Sequence, residues 1–219
     1  MRQSLVAWLY GRTAGWRGGL AALGFAVSLF PSVASAQTVA SLPAPSASLE
    51  RGGSARPVQA WVSFCDRMPA ECAVDLSEPA TIHLTPKIWR LLVSVNRSIN
   101  TRIKPMTDID HWNVVDRWDL PTDGYGDCED FQLLKRKVLA EQGLSRRAMR
   151  MTVVIDDQGE GHAVMMIRTD RGDFILDNKR SAILTWQQTE YTFVKREGQD
   201  SVAWVALGER SSPVTTANR

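Results

Sequence analysis

Cysteine is scarce in this chain: three among 219 residues. Cys65, Cys72 and the nearby His83 have spacings that fit no zinc signature, so a structural zinc site is not expected. Long apolar runs are missing too. "LAALGFAVSLF", Leu20 to Phe30, is too short to span a bilayer comfortably. No internal repeat or long low-complexity tract occurs. Charge of one sign is also lacking: the whole chain carries 26 basic and 24 acidic residues. Only Arg2, Arg12 and Arg17 are charged within the first 36 residues, and without them the balance is 23 to 24, or −1. The slight basicity therefore belongs to the N-terminal segment, and nucleic acid is not an expected partner.

That segment has the composition of a secretory signal peptide. A basic start precedes the apolar run, Pro31 follows, and "ASA", Ala34 to Ala36, offers a small-residue cleavage site. Residues 1–36 are read as the signal peptide, with an uncleaved membrane anchor as the alternative. No cysteine stands at the cleavage site, which argues against a lipoprotein. Residues 37–57 are rich in Ala, Ser, Pro and Gly and read as a disordered linker, and 209–219 as a flexible tail. Residues 58–208 remain as one domain with a core of its own. In a secreted chain, "FCDRMPAEC" makes Cys65 and Cys72 the natural disulfide pair and leaves Cys128 over.

Periodicity divides the domain into helices followed by strands. "TPKIWRLLVSVNRSINTRI" has Thr85 to cap, Pro86 in the first turn, and apolar residues at helical spacing from Ile88 to Ile103. "DIDHWNVVDRWDLPTDGYG" reads as loop. A second helix opens at "GDCEDF", with Asp127 as N-cap and Asp130 three residues on, as in a capping box. Lys135 falls on its apolar face, with its ammonium expected in water; Arg136 and Lys137 are expected on the solvated side. The pattern then changes to period two in Met149–Ile155, His162–Arg168 and Asp173–Asp177, with two further strands in "TEYTFVKRE" and "SVAWVAL". The fold class is α+β, helices packed on an antiparallel sheet.

Three polar residues stand at element ends: Cys128 opening a helix, His162 starting a strand, Asp177 ending the next. Antiparallel neighbours can bring His162 beside Asp177, and a helix packed end-on can bring a thiol to the imidazole. Thiol, base and orienting acid form a nucleophilic triad. The acids around Cys128 pull the other way, because carboxylates disfavour a thiolate. Two readings of Asp127, Glu129 and Asp130 stay open: helix caps, or oxygen ligands for a cation. Asn178 is a substitute orienter for Asp177. Trp112 and Trp118 are candidates to line a substrate cleft, while His83 and His111 read as surface or loop residues.

In this order, "GDCEDF", "GHAVMMI" and "GDFILDN", with "VNRSINTRIKPMTDIDHWNVVDRW" upstream and "AILTW" downstream, resemble the bacterial transglutaminase-like cysteine proteinases, the family of the LapG-type periplasmic proteases that cut surface adhesins. The likeness extends over about Trp61 to Leu207. It implies a papain/transglutaminase-like cysteine proteinase fold and a catalytic Cys128, His162 and Asp177. From the calcium-dependent members it implies Ca²⁺ at Asp127 and Glu129, with Asp130 beside them. It also implies a periplasmic or secreted endopeptidase, a surface adhesin as substrate and an inner-membrane regulatory partner. Two alternatives share these residues: a transglutaminase or amide transferase, and a non-catalytic calcium-responsive binding module.

Overall fold

A computed structural model describes residues 41–208. The expected signal peptide and the tail at 209–219 lie outside the described residues, as does the start of the expected linker. From residue 41 onward, that linker is instead a strap laid along the domain. Ser46 N donates to Arg171 O at 2.9 Å, Gly52 N donates to Ala206 O at 2.7 Å, and Leu49 is buried. Its residues Ser54–Ala55 form β1. A Pro/Ala/Ser composition supplies little apolar surface, but the strap satisfies its backbone on the turn at Arg171 and on the edge strand at Ala206, which composition does not register.

Along the chain follow α1 (Gln59–Arg67) and α2 (Pro69–Cys72), joined by the Cys65–Cys72 disulfide. The long α3 (Pro86–Arg102) begins as its sequence predicts, with the Thr85 hydroxyl accepting from Ile88 N. Next come the two-residue β2 (Lys104–Pro105), the short α4 (Asp108–Trp112), where loop is expected, and β3 (Tyr125–Gly126). Cys128–Glu141 form α5. The strands β4 (Met149–Ile155), β5 (Gly161–Thr169), β6 (Gly172–Leu176), β7 (Leu184–Thr185), β8 (Thr192–Glu197) and β9 (Trp204–Ala206) complete the domain. The sheet is antiparallel, ordered β1-β9-β8-β4-β5-β6-β7.

Strand alternation sorts the core into layers. Met165, Ile167, Phe174 and Leu176 pack with Leu92, Ile99, Phe131 and Leu139 of the two long helices. Trp61 and Phe64 of α1 join Trp118, Met151, Val153 and Trp204. Val164, Met166, Ile175 and Phe193, on the opposite side of their strands, pack with Leu49 of the strap. No described helix is long and apolar enough to cross a membrane.

Two basic residues of α5 depart from expectation. Arg136 is buried, and its guanidinium donates to Glu197 Oε2 at 2.7 Å. Glu197 also faces Arg150 at 3.5 Å and accepts from Trp61 Nε1 at 2.6 Å. Lys135 is fully buried as well, with Nζ donating to Gln132 Oε1 at 3.2 Å. Burial lowers its pKa to about 7 against the pull of the Asp177 charge. An unfolded lysine titrates near 10.4. Between pH 7 and 10 the unfolded chain therefore holds a proton that the folded chain has released, and stability rises with pH through this window. Below pH 7 the whole penalty is present. Lys135→Met should remove it, raising stability at pH 6 by about 2–4 kcal/mol and by progressively less up to pH 10. Urea denaturation of both proteins across this range measures the difference.

Candidate active site

The entry to α5 is fixed by a small parallel pairing, Lys104 with Tyr125 and Pro105 with Gly126. A Cβ on Gly126 would lie 2.7 Å from both Cβ and Oδ2 of Asp130, so only glycine lets the chain pass there. Asp127 holds the N-cap position in extended backbone, yet its side chain caps nothing. The expected capping box is also absent: Asp130 Oδ1 accepts from Asp119 N at 2.7 Å, tying the preceding loop to the helix. Cys128 is the first helical residue and is fully buried. Its Sγ donates to Glu129 Oε2 at 3.0 Å and accepts from the backbone N–H of Ala163, next to His162, at 3.3 Å.

His162 and Asp177 meet across the end of the sheet. Met165 pairs with Leu176, so one step further Asp177 faces Val164, and His162 is its diagonal neighbour on the same face. His162 Nε2 lies 2.9 Å from Asp177 Oδ1. The same oxygen accepts from Lys179 N at 2.9 Å, and Oδ2 accepts from the Tyr191 hydroxyl at 2.7 Å. Asn100 Nδ2 donates to the Asp177 carbonyl at 2.7 Å, so α3 holds the backbone of this residue. Burial pushes the Asp177 carboxyl up, but the His162 contact and the Tyr191 and Lys179 hydrogen bonds hold it below the usual carboxylate range. An ionised carboxylate only accepts, so Nε2 carries the hydrogen of this contact and Nδ1 is the ring nitrogen turned away from Asp177. Nδ1 is buried without a hydrogen-bond partner. Asn178 does not substitute for Asp177; its Oδ1 accepts from Gln132 Nε2 at 3.4 Å.

The acids form a connected cluster. Oxygen ligand atoms of Asp127 and Glu129 gather with the Cys128 sulfur, those of Asp127 and Asp130 with Asp108, and Glu129 with Asp108 and Asp116, each group within 4.8 Å. Both oxygens of Asp127 and Oε1 of Glu129 are buried without a hydrogen-bond partner. Burial, then the Asp108 charge, pushes Asp127 up to about 7. Burial, then the Asp127 charge, drives Glu129 and Asp130 well above the carboxylate range. The Cys128 thiol is pushed well up by burial first and by Glu129 and Asp127 after it. Orphaned carboxylate oxygens at this density fit a hard, oxygen-seeking cation such as Ca²⁺. Asp108 and Asp116 join the three acids that the sequence nominates. The available signal was the acid-dense spacing of Asp108, Asp110, Asp116, Asp119 and Asp123, in a segment that otherwise reads as plain loop.

The sequence model of the family described as bacterial transglutaminase-like cysteine proteinase matches residues 51–212. The chain belongs to this family. It is a cysteine peptidase, a hydrolase, and its helices on an antiparallel sheet are the fold of a transglutaminase-like cysteine protease. Solved structures similar to it include Legionella pneumophila LapG, 24% identical over 69% of this chain and 80% of that one, with a TM-score of 0.47. Calcium-bound LapG is 21% identical over 73% and 84% of the two chains, also at 0.47. EGTA-treated LapG is 23% identical over 70% and 78%, at 0.46. No curated protein matches the sequence.

Around the candidate triad of this cysteine proteinase, Trp112 is 41% exposed and lines a small cleft of about 130 Å³ with His111, Asp119, Tyr125 and Asp130. Arg117 stacks on its ring at 4.6 Å. Trp118 is fully buried and packs edge-on to Trp204, so it belongs to the core and not to a cleft. His111 bonds Asp123 at 2.8 Å, and the exposed His83 pairs with Asp170.

Proposed function

We propose that this proteinase is a periplasmic endopeptidase in which Cys128 is the nucleophile, His162 the general base and Asp177 the acid that orients the imidazole. The observation that carries the reading is the His162–Asp177 pair, 2.9 Å apart, whose next backbone N–H touches the Cys128 sulfur. In the first half-reaction the Cys128 sulfur attacks a peptide carbonyl carbon while its proton passes to His162 Nδ1. The backbone N–H of Cys128, in the first turn of α5, would donate to the charge that develops on the carbonyl oxygen. Collapse breaks the C–N bond, and His162 returns the proton to the leaving amine. Water then cleaves the thioester with His162 as base, regenerating the thiol.

Asp127, Glu129 and Asp130, with Asp108 and Asp116, would hold Ca²⁺, whose charge would offset the carboxylates that otherwise oppose a thiolate. Glu129 Oε2, once drawn to a cation, would leave the thiol to His162. The proposed organisation has residues 1–36 as signal peptide and 58–208 as the catalytic domain. The Cys65–Cys72 disulfide fits an oxidising compartment. The proposed substrate is an exposed segment of a surface adhesin, in keeping with the family resemblance.

Alkylation of Cys128 by iodoacetamide tests the triad without a substrate. In calcium buffer at pH 7, wild-type protein should react at least about tenfold faster than His162→Ala or Asp177→Asn. Equal rates in all three would sink the assignment.

A further inference from the structure

We infer that Tyr191 is a fourth member of the catalytic arrangement, a positioning residue that fixes the Asp177 carboxylate from the side opposite His162. The inference rests on the triad reading and deepens it. Asp177 has two oxygens to place. Oδ1 takes the His162 ring and the Lys179 N–H, and Oδ2 takes the Tyr191 hydroxyl at 2.7 Å. With a donor on each oxygen, the carboxylate cannot rotate about its Cβ–Cγ bond without breaking a charge-assisted hydrogen bond. The ring of Tyr191 also stands edge-on to the imidazole, with centroids 5.9 Å apart and planes at 82°. One side chain therefore holds the acid through its hydroxyl and walls the base through its ring.

The chain is bent to present this residue. Glu190, immediately before it, has φ of 58°, one of two non-glycine residues with positive φ among those described. Strain of this kind persists where the surrounding structure demands a direction of the chain. On the far side, the Arg180 guanidinium lies 5.8 Å from the ring centroid, and Asn100 and Asn96 of α3 both bond the Arg180 carbonyl, at 3.2 Å each. Tyr191 thus sits between a strained turn and a loop pinned to α3. Burial, and then the Asp177 charge, raises the phenol above its ordinary range, so it stays a donor at neutral pH.

Tyr191→Phe keeps the ring and removes only the hydrogen bond, so the fold should survive. On a cleaved peptide, kcat should fall about tenfold with KM within about twofold, and iodoacetamide alkylation of Cys128 in calcium buffer should slow by a similar factor. In an Asp177→Asn background, where the carboxylate is already gone, the same change should alter the alkylation rate by less than about twofold. Should Asp177→Asn slow alkylation while Tyr191→Phe leaves both rates at the wild-type level, the Tyr191 role is overturned and the triad stands. An additive effect in the double variant likewise overturns action through Asp177. If Asp177→Asn itself changes nothing, the triad reading fails, and this one with it.

Discussion

Cys128→Ala should eliminate peptide cleavage while leaving the protein folded. The sulfur is the sole protein atom in the proposed mechanism that bonds to substrate carbon, and no neighbouring group can replace it: the adjacent carboxylates are poor, buried nucleophiles already pushed toward their protonated forms. In triads that act as a unit, removing the nucleophile costs on the order of 10⁴-fold or more in kcat, and removing the base afterwards costs little further. His162→Ala alone and the Cys128→Ala/His162→Ala pair should therefore be about as inactive as Cys128→Ala. The structural cost is small, since replacing the thiol by hydrogen leaves a cavity worth about 1 kcal/mol. New N-termini counted by mass spectrometry in a digested peptide library, beside a thermal melt, give both readouts. Wild-type cleavage that persists in a folded Cys128→Ala protein would remove Cys128 from the chemistry.

What could be read in the sequence was local, and what escaped it was not. The α3 and α5 helices and the central strands announce themselves through spacing over a few residues, and Thr85 caps where it should. The pairing of His162 with Asp177 was legible for the same reason, because the short turn between β5 and β6 leaves little freedom of register. Arg136 was misread as solvated because its partner, Glu197, is supplied from β8, which no window around α5 contains. Lys135 was misread because its imperfect place in the apolar stripe has two solutions, a stem with its head in water or a buried amine, and only packing chooses. The strap escapes a compositional reading because its order comes from backbone hydrogen bonds to a turn and an edge strand, which any composition can make.

Asp127 and Asp130 show how the two open readings, cap and ligand, part in the structure. Both stand where helix caps stand, and neither caps α5. A capping oxygen gains by satisfying an orphan N–H. The two Asp127 oxygens have no such partner, although burial has already stripped them of water. An arrangement that raises the cost of every member is poor scaffolding. It is understandable where something else satisfies the oxygens.

Calcium should therefore reverse the sign of an Asp127→Asn substitution. In EGTA at pH 8, above the value of about 7 to which Asp127 is pushed, burial and mutual repulsion still penalise the acids of the wild-type cluster, and Asp127 is the member whose charge presses most on Glu129 and Asp130. Asp127→Asn relieves that repulsion, so the variant should melt higher than wild type by a few degrees, the equivalent of about 1 kcal/mol. In calcium at about a hundred times its dissociation constant, wild type gains about 2.7 kcal/mol from binding alone. The variant lacks a ligand oxygen of full charge and gains little, so the two melting temperatures cross. Activity should follow: EGTA should lower wild-type kcat/KM about a hundredfold or more by restoring uncompensated acids beside the thiol, and Ca²⁺ should return it. Were the acids simple caps, Asp127→Asn would instead lower the EGTA melting temperature or leave it alone, and Ca²⁺ would shift neither protein. The crossing separates the two accounts because opposite signs are expected from the same substitution, measured in the same apparatus, with only the cation changed.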